Sequence, residues 1–433
     1  MIRLAALAAL LGTSFIANAQ TTAITGATVH TLGPDGTLKD ATILIDGGRV
    51  IDVGSDVDVP RGARVVDAGG KIVTPGLMTP IGRIGLVEVG MSAGPVDSVQ
   101  RGDRFTASFD VADAFNPRST LVAVNRIEGI TRAVITPEAS GPDAAGDKSH
   151  LIAGLAAVVN LGGDRDSIDR RGAAMVVYAG ESGAALAGES RAHGLLILRD
   201  ALAEATDYRN DADAWERGQH RDYALGRPDL EALQAVLNGD TPLLVYVDRA
   251  SDILTLIDLA SEFDVRLIIA SGVEAWLVAD DIAAAGIPVI LAPEANLPSN
   301  FDRLNASEAN AATLVAAGVT IAFADGSATS HNARNISQSA GNAVVQGLTR
   351  DQAIRAMTLS PAEIFGVDDR VGSIEPGKDA DLVIWPGDPL ELGNYPDAVY
   401  IRGKAVPMES RQTLLRDRYR DVSDSTPPVY RRP

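Results

Sequence analysis

The sequence predicts an α/β protein: a (β/α)8 TIM-type barrel joined to a small β-sandwich domain that both chain ends build. Three observations lead there. Between about residues 76 and 366, short apolar runs alternate with alanine-rich helical stretches. The runs are nearly continuous, as parallel strands buried on both faces require. The text before and after that stretch is different, with strand-length alternating runs separated by glycine turns. The third observation is size: 433 residues, 46% of them hydrophobic, supply one large core and one small one. A doubly wound sheet is the rival that the same alternation allows.

Taken in order, residues 1–19 read as a secretory signal peptide. Arg3 precedes an apolar run from Leu4 to Ile16, and Ala17-Asn18-Ala19 supplies a small-x-small cleavage pattern ending at Ala19. The run is too short to span a bilayer, which takes roughly 20 residues, and no later stretch is long and apolar enough. An exported, periplasmic protein is expected. The chain has no cysteine, so neither disulfides nor thiol chemistry enters. The formal net charge is −19, which argues against nucleic acid and anionic lipid as partners.

Residues 20–75 form the first part of the β domain. "AITGATVHTL" and "ATILIDGGRVIDVG" are strand-length, and Asp46-Gly47-Gly48 is a hairpin turn. The barrel occupies 76–366. Its strands are expected within 76–130, at 131–137, near "LIAGLAAVVNL", and at 173–180, 242–248, 265–271, 287–293 and 319–325. Residues 367–410 return to short alternating strands and complete the β domain. Residues 411–433 read as a frayed C-terminal tail.

Two stretches carry a resemblance. "DAGGKIVTPGL" resembles the entry into barrel strand 1, and "LSPAEIFGVDDRVGSIEPGKDADLVIWPGDP" the exit from the barrel, of the amidohydrolase superfamily in its imidazolonepropionase-like branch. The resemblance covers nearly the whole chain after the leader. It implies a barrel hydrolysing C–N bonds with one or two divalent metals that activate a water. The family's ligands are a His-x-His after strand 1, a lysine or glutamate after strand 4, one histidine each after strands 5 and 6, and an aspartate after strand 8.

Carried onto this chain, that pattern loses its imidazoles. The His-x-His places read Ile81 and Arg83. The strand-4 place falls on Met175, the strand-5 place on Tyr246 and the strand-6 place on Ser271. Only the aspartate survives, as Asp325, the candidate catalytic residue. Its alternative role is capping the following helix. Arg83 is expected to stand where the family keeps a cation and to pair with Asp325.

None of the five histidines, His30, His150, His193, His220 and His331, shows ligand spacing to another. His331, six residues past Asp325, is the one that could approach the mouth. Among carboxylates after strands, Glu181 and Asp248 are further mouth candidates, with Glu88 and Glu294 behind them. No metal or other cofactor is expected. One zinc-like divalent ion is the alternative if the site is rearranged.

Two functions follow. The first is a non-catalytic protein that binds a small molecule or partners an active paralogue, with homo- and hetero-oligomers both open. The second is a hydrolase of amide or peptide-like C–N bonds working through a rearranged site.

Overall fold

The computed structural model describes residues 21–89, 94, 96–101, 105–140, 150–212, 217–219, 222–295, 297–325 and 330–420. The expected leader and His220 lie outside the described residues. No described helix is long and apolar enough to cross a membrane.

The barrel sheet runs in chain order. Its strands are β6 (Leu77–Gly82), β7 (Ile130–Ile135), β8 (Ile152–Asn160), β9 (Ile168–Tyr178), β10 (Leu243–Val247), β11 (Leu267–Ser271), β12 (Val289–Leu291) and β13 (Ile321–Phe323). β13 packs back against β6, so the barrel is nearly closed. Alternation splits its side chains into two layers. Met78, Val134, Val158, Val176, Leu244, Ile268 and Ile290 fill the lumen. Leu77, Ile135, Val159, Val177, Val245, Ile269 and Val289 face the surrounding helices.

One strand departs from the (β/α)8 pattern. β8 pairs antiparallel with both β7 and β9. The reason is the length of the connection. Only residues 161–167 separate β8 from β9, whereas a parallel crossover needs about a dozen residues or more. The "GGDRDS" segment is therefore a hairpin loop. Gly154 in β8 allows a close approach to Phe109: its φ is +126°, and a Cβ there would meet the Phe109 carbonyl oxygen at 2.3 Å.

The chain ends share a second sheet. Its strands are β1 (Thr22–His30), β2 (Thr37–Asp46), β3 (Arg49–Gly54), β4 (Arg64–Asp67), β5 (Ile72–Pro75), β14 (Leu382–Trp385), β15 (Ala398–Ile401) and β16 (Lys404–Ala405). The seam is β5 on β14, antiparallel, with Val73 opposite Ile384 and Thr74 opposite Val383. Trp385 donates its indole N–H to Thr74 Oγ1 at 3.0 Å across it. β1 is a branch point, with β4 on its first half and β5 on its second. Ile24, Ile43, Val73, Leu382 and Ile384 form this domain's own core.

The domains meet at a buried charge cage. Arg132 of β7 is 2% exposed and faces three carboxylates: Asp169 at 3.0 Å, Asp379 at 3.0 Å and Asp381 at 3.1 Å. Arg370 and Arg402 approach Asp379 and Asp169 from outside, so three guanidinium groups balance three carboxylates.

The segment after residue 410 also differs from expectation. Arg411–Arg420 is helical. Ser410 starts it, its hydroxyl accepting the Thr413 amide while its own amide donates to Thr413 Oγ1. The signal was there: a capping serine followed by "RQTLLRDRYR", rich in helix formers.

Candidate functional site

Strand ends position the site. The C-terminal ends of β6, β9, β10, β11 and β13 surround a cavity of about 410 Å³. Ile81, Tyr246, Ser271 and Asp325 line it together, joined by Glu181 and Asp248. Glu88 lies elsewhere, accepting from Asn116 and Thr120. Glu294 and His331 are exposed and do not line the cavity.

Met175 is not at the mouth. It sits inside β9, fully buried, opposite Leu243 in register, and both belong to the layer that faces the helices. The mouth residue of β9 is Tyr178. Alternation carries the signal, because residues 174, 176 and 178 point opposite to Met175. Tyr178 is directly opposite Tyr246 in the parallel register. Their rings stack at a centroid distance of 4.7 Å and an angle of 15°, a favourable cross-strand aromatic pair.

Arg83 stands beside this stack. Its guanidinium binds Glu138 (Nη1 to Oε2, 2.6 Å), a carboxylate that strand-end counting does not single out. Ser98 Oγ donates to the same oxygen at 3.2 Å. The Arg83 amide donates to Ser330 Oγ at 3.0 Å. The expected partner of Arg83 was Asp325; the ion pair it forms here is with Glu138.

The far wall is built on Arg303, also absent from the sequence expectations. Its Nε donates to Asp248 at 2.8 Å and its Nη2 to Ser271 Oγ at 3.3 Å. Ser271 holds φ at +77°, a left-handed value unusual for a serine. Asp302, 2% exposed, pairs with Arg191 and accepts the Glu181 amide at 2.7 Å. That bond fixes the start of the helix Gly180–Leu186.

Electrostatics decide the state of the tyrosines. Burial pushes the Tyr178 phenol well up, and the nearby Glu138 charge adds to it. Tyr246 is raised by burial first and then by Tyr178, against a hydrogen bond with Thr136. Both phenols are therefore neutral at ordinary pH. A folded-state value above the unfolded value of about 10 adds stability that is complete below pH ~10 and is lost as pH rises through the folded value. We expect stability to fall as pH rises above about 10, toward the raised folded-state values of the two phenols. Denaturant midpoints between pH 9 and 11 check this. The double variant Tyr178→Phe/Tyr246→Phe should show a shallower decline, and an unaltered one would contradict the assignment.

These residues do not fit a zinc-like ion. Ile81 offers no donor and Arg83 is itself a cation. Tyr246 is held as a phenol, and Ser271 already accepts from Arg303. Metal sites of this kind need deprotonated or imidazole donors converging on one point. Among the described residues, no group of three or more His, Asp or Glu side chains is placed to hold a metal.

An eight-stranded barrel with its cavity at the C-terminal strand ends, joined to a β domain made by both chain ends, defines the class: a hydrolase-type barrel of the amidohydrolase kind. In both sequence and fold the chain is similar to the amidohydrolase superfamily. The Amidohydrolase family model matches residues 239–406. An amidohydrolase from Thermotoga maritima superposes with a TM-score of 0.78 at 28% identity, over 89% of this chain and 99% of that one. Amidohydrolase tasK of Hapsidospora irregularis is 24% identical over 402 residues, 84% of this chain. The chain spans 39% of the length of that relative. An imidazolonepropionase from Erwinia tasmaniensis is 41% identical over 64 residues, 13% of this chain and 16% of its own length.

Proposed function

We propose that this chain is an exported amidohydrolase-superfamily protein whose barrel mouth binds a small molecule without a resident metal. In this reading it acts as a ligand-binding protein or as the partner of an active paralogue. One observation carries the reading. Ile81, Arg83, Tyr246 and Ser271 stand at the places where the family keeps histidines, and three of them have another job. The two tyrosines stack, Arg83 pairs with Glu138 and Ser271 accepts from Arg303. The cavity of about 410 Å³ remains open above them, within the range of small-molecule sites. Export rests on the leader pattern ending at Ala19.

The opposing reading is a hydrolase of C–N bonds through a rearranged site. What favours it is the carboxylate content of the same cavity, Glu181, Asp248, Asp302 and Asp325, and the hydrolase names of the relatives. Elemental analysis of the full chain purified with zinc, manganese and iron in the medium separates the two. We expect well under one equivalent of any of them after gel filtration. A stoichiometric metal, together with amide hydrolysis that a chelator abolishes, would sink the metal-free reading.

A further inference from the structure

A second concavity lies at the other end of the molecule. Arg132 and Asp169 sit near the N-terminal ends of β7 and β9, opposite the strand ends that form the mouth. Beside their cage the β domain opens a hollow of about 780 Å³. Five cations line it: Arg49, Arg64, Arg370, Arg402 and Lys404. Two acids accompany them, Asp46 and Asp379. The whole chain has 57 acidic residues against 38 basic ones, so this hollow inverts the balance of the surface around it.

The cage accounts for part of that charge. Arg370 and Arg402, with Arg132, face Asp169, Asp379 and Asp381. Among the described lining residues, Arg49, Arg64 and Lys404 are left against Asp46. Arg64 and Lys404 are exposed and have no carboxylate partner among the described residues. Arg49 gives Nη1 to the Gly377 carbonyl at 2.5 Å and makes no ion pair among those residues.

The walls are rigid. The hairpin turn 46–49 between β2 and β3 presses against the turn 401–404 between β15 and β16. A Cβ on Gly48 would stand 2.9 Å from the Arg402 carbonyl oxygen, and one on Gly403 would stand 3.0 Å from Gly48 Cα. Both glycines have positive φ, +84° and +71°. Arg402, just before Gly403 in the second turn, has φ +48°. Such a turn position ordinarily takes Asn, Asp or Gly. An arginine is kept there although a left-handed non-glycine residue costs about 1 kcal/mol or more; its side chain reaches Asp169 in the cage. The cations are thus held on a preformed frame, which lowers the ordering cost of binding.

We propose that this hollow binds a small phosphate-bearing anion. Cations approach it from four parts of the chain, the β2–β3 turn, β4, the barrel exit and the β15–β16 turn. A tetrahedral group with several acceptor oxygens satisfies donors arriving from such different directions. Guanidinium forks match phosphate oxygens in pairs. The hollow far exceeds one phosphate in size, so the ligand carries more than one such group or a larger body.

The test uses the full chain, calorimetry and inorganic pyrophosphate as probe. Saturable binding that weakens as salt rises is expected. The double variant Arg64→Gln/Lys404→Gln removes two exposed cations outside the cage, so its thermal midpoint should match the parent. Its affinity should fall about tenfold, two partly screened contacts of roughly 0.7 kcal/mol each. The charge swap Arg64→Glu/Lys404→Glu should abolish binding. Three results would overturn the proposal: no heat with pyrophosphate at low salt, equal affinity in parent and variants, or citrate bound as tightly as pyrophosphate.

Discussion

Replacing Arg132 by methionine is expected to remove about 3–5 kcal/mol of folding free energy. Methionine fills most of the volume, so the loss is electrostatic rather than a cavity effect. Arg132 is 2% exposed, and its carboxylate partners are between 4% and 6% exposed. Water cannot take its place, and among the described residues three buried negative charges would retain Arg370 and Arg402 at their outer side. Asp381 is the most vulnerable. Burial already holds its carboxyl above the ordinary value, with the Arg132 charge pulling it back. Without Arg132 that value rises further. A carboxyl raised in the folded state favours the fold only while protonated, and the benefit is lost as pH climbs through the folded value. The deficit of Arg132→Met should therefore be smaller at pH 5 than at pH 8. Adding Asp381→Asn should recover part of it. Denaturant titration of the three proteins at both pH values measures this. A loss below 1 kcal/mol, or one independent of pH, would show that the cage contributes little.

Much of the fold was legible because it rests on local patterns. The apolar runs of β7, β9, β10, β11, β12 and β13 are long enough and regular enough to place strands without tertiary information. The reversal of β8 was not, since direction is set by the length of the β8–β9 loop rather than by the strand's own residues. At the mouth, carrying the family's ligand pattern onto the chain pointed to Ile81, Tyr246, Ser271 and Asp325, which line one cavity. It failed at Met175, where a shift of one residue turns a side chain from the lumen to the helix layer. It also could not see Glu138 or Arg303. Both come from segments outside the barrel strands, and only the folded chain brings them to Arg83 and Asp248. The cage was equally hidden, because Asp169 lies more than two hundred residues from Asp379 and Asp381.

Restoring four histidines is expected to bring metal to the mouth. The substitutions are Ile81→His, Arg83→His, Tyr246→His and Ser271→His together. The argument is geometric. Ile81, Tyr246 and Ser271 already line one cavity with Asp325, and Arg83 lies two residues past Ile81 on the same strand end. Histidine at 81 and 83 recreates the His-x-His spacing, in which alternation puts both imidazoles on the lumen side. Arg83→His also removes a fixed cation whose charge opposes any incoming ion. Tyr246→His replaces a phenol that burial keeps protonated by a donor that binds in its neutral form. At Ser271 the new side chain must accept φ +77°, at a cost of about 1–3 kcal/mol. Metal binding is able to offset that, since it draws on the folded state alone. We expect about one equivalent of zinc in the quadruple variant against well under one in the parent. Its unfolding midpoint should rise on zinc addition and fall with a chelator. The triple variant that keeps Arg83 should bind markedly more weakly. If the quadruple variant folds by circular dichroism but takes up no zinc, side-chain identity is not what separates this mouth from a metal site, and the placement of Arg83 and Tyr246 at ligand positions fails with it.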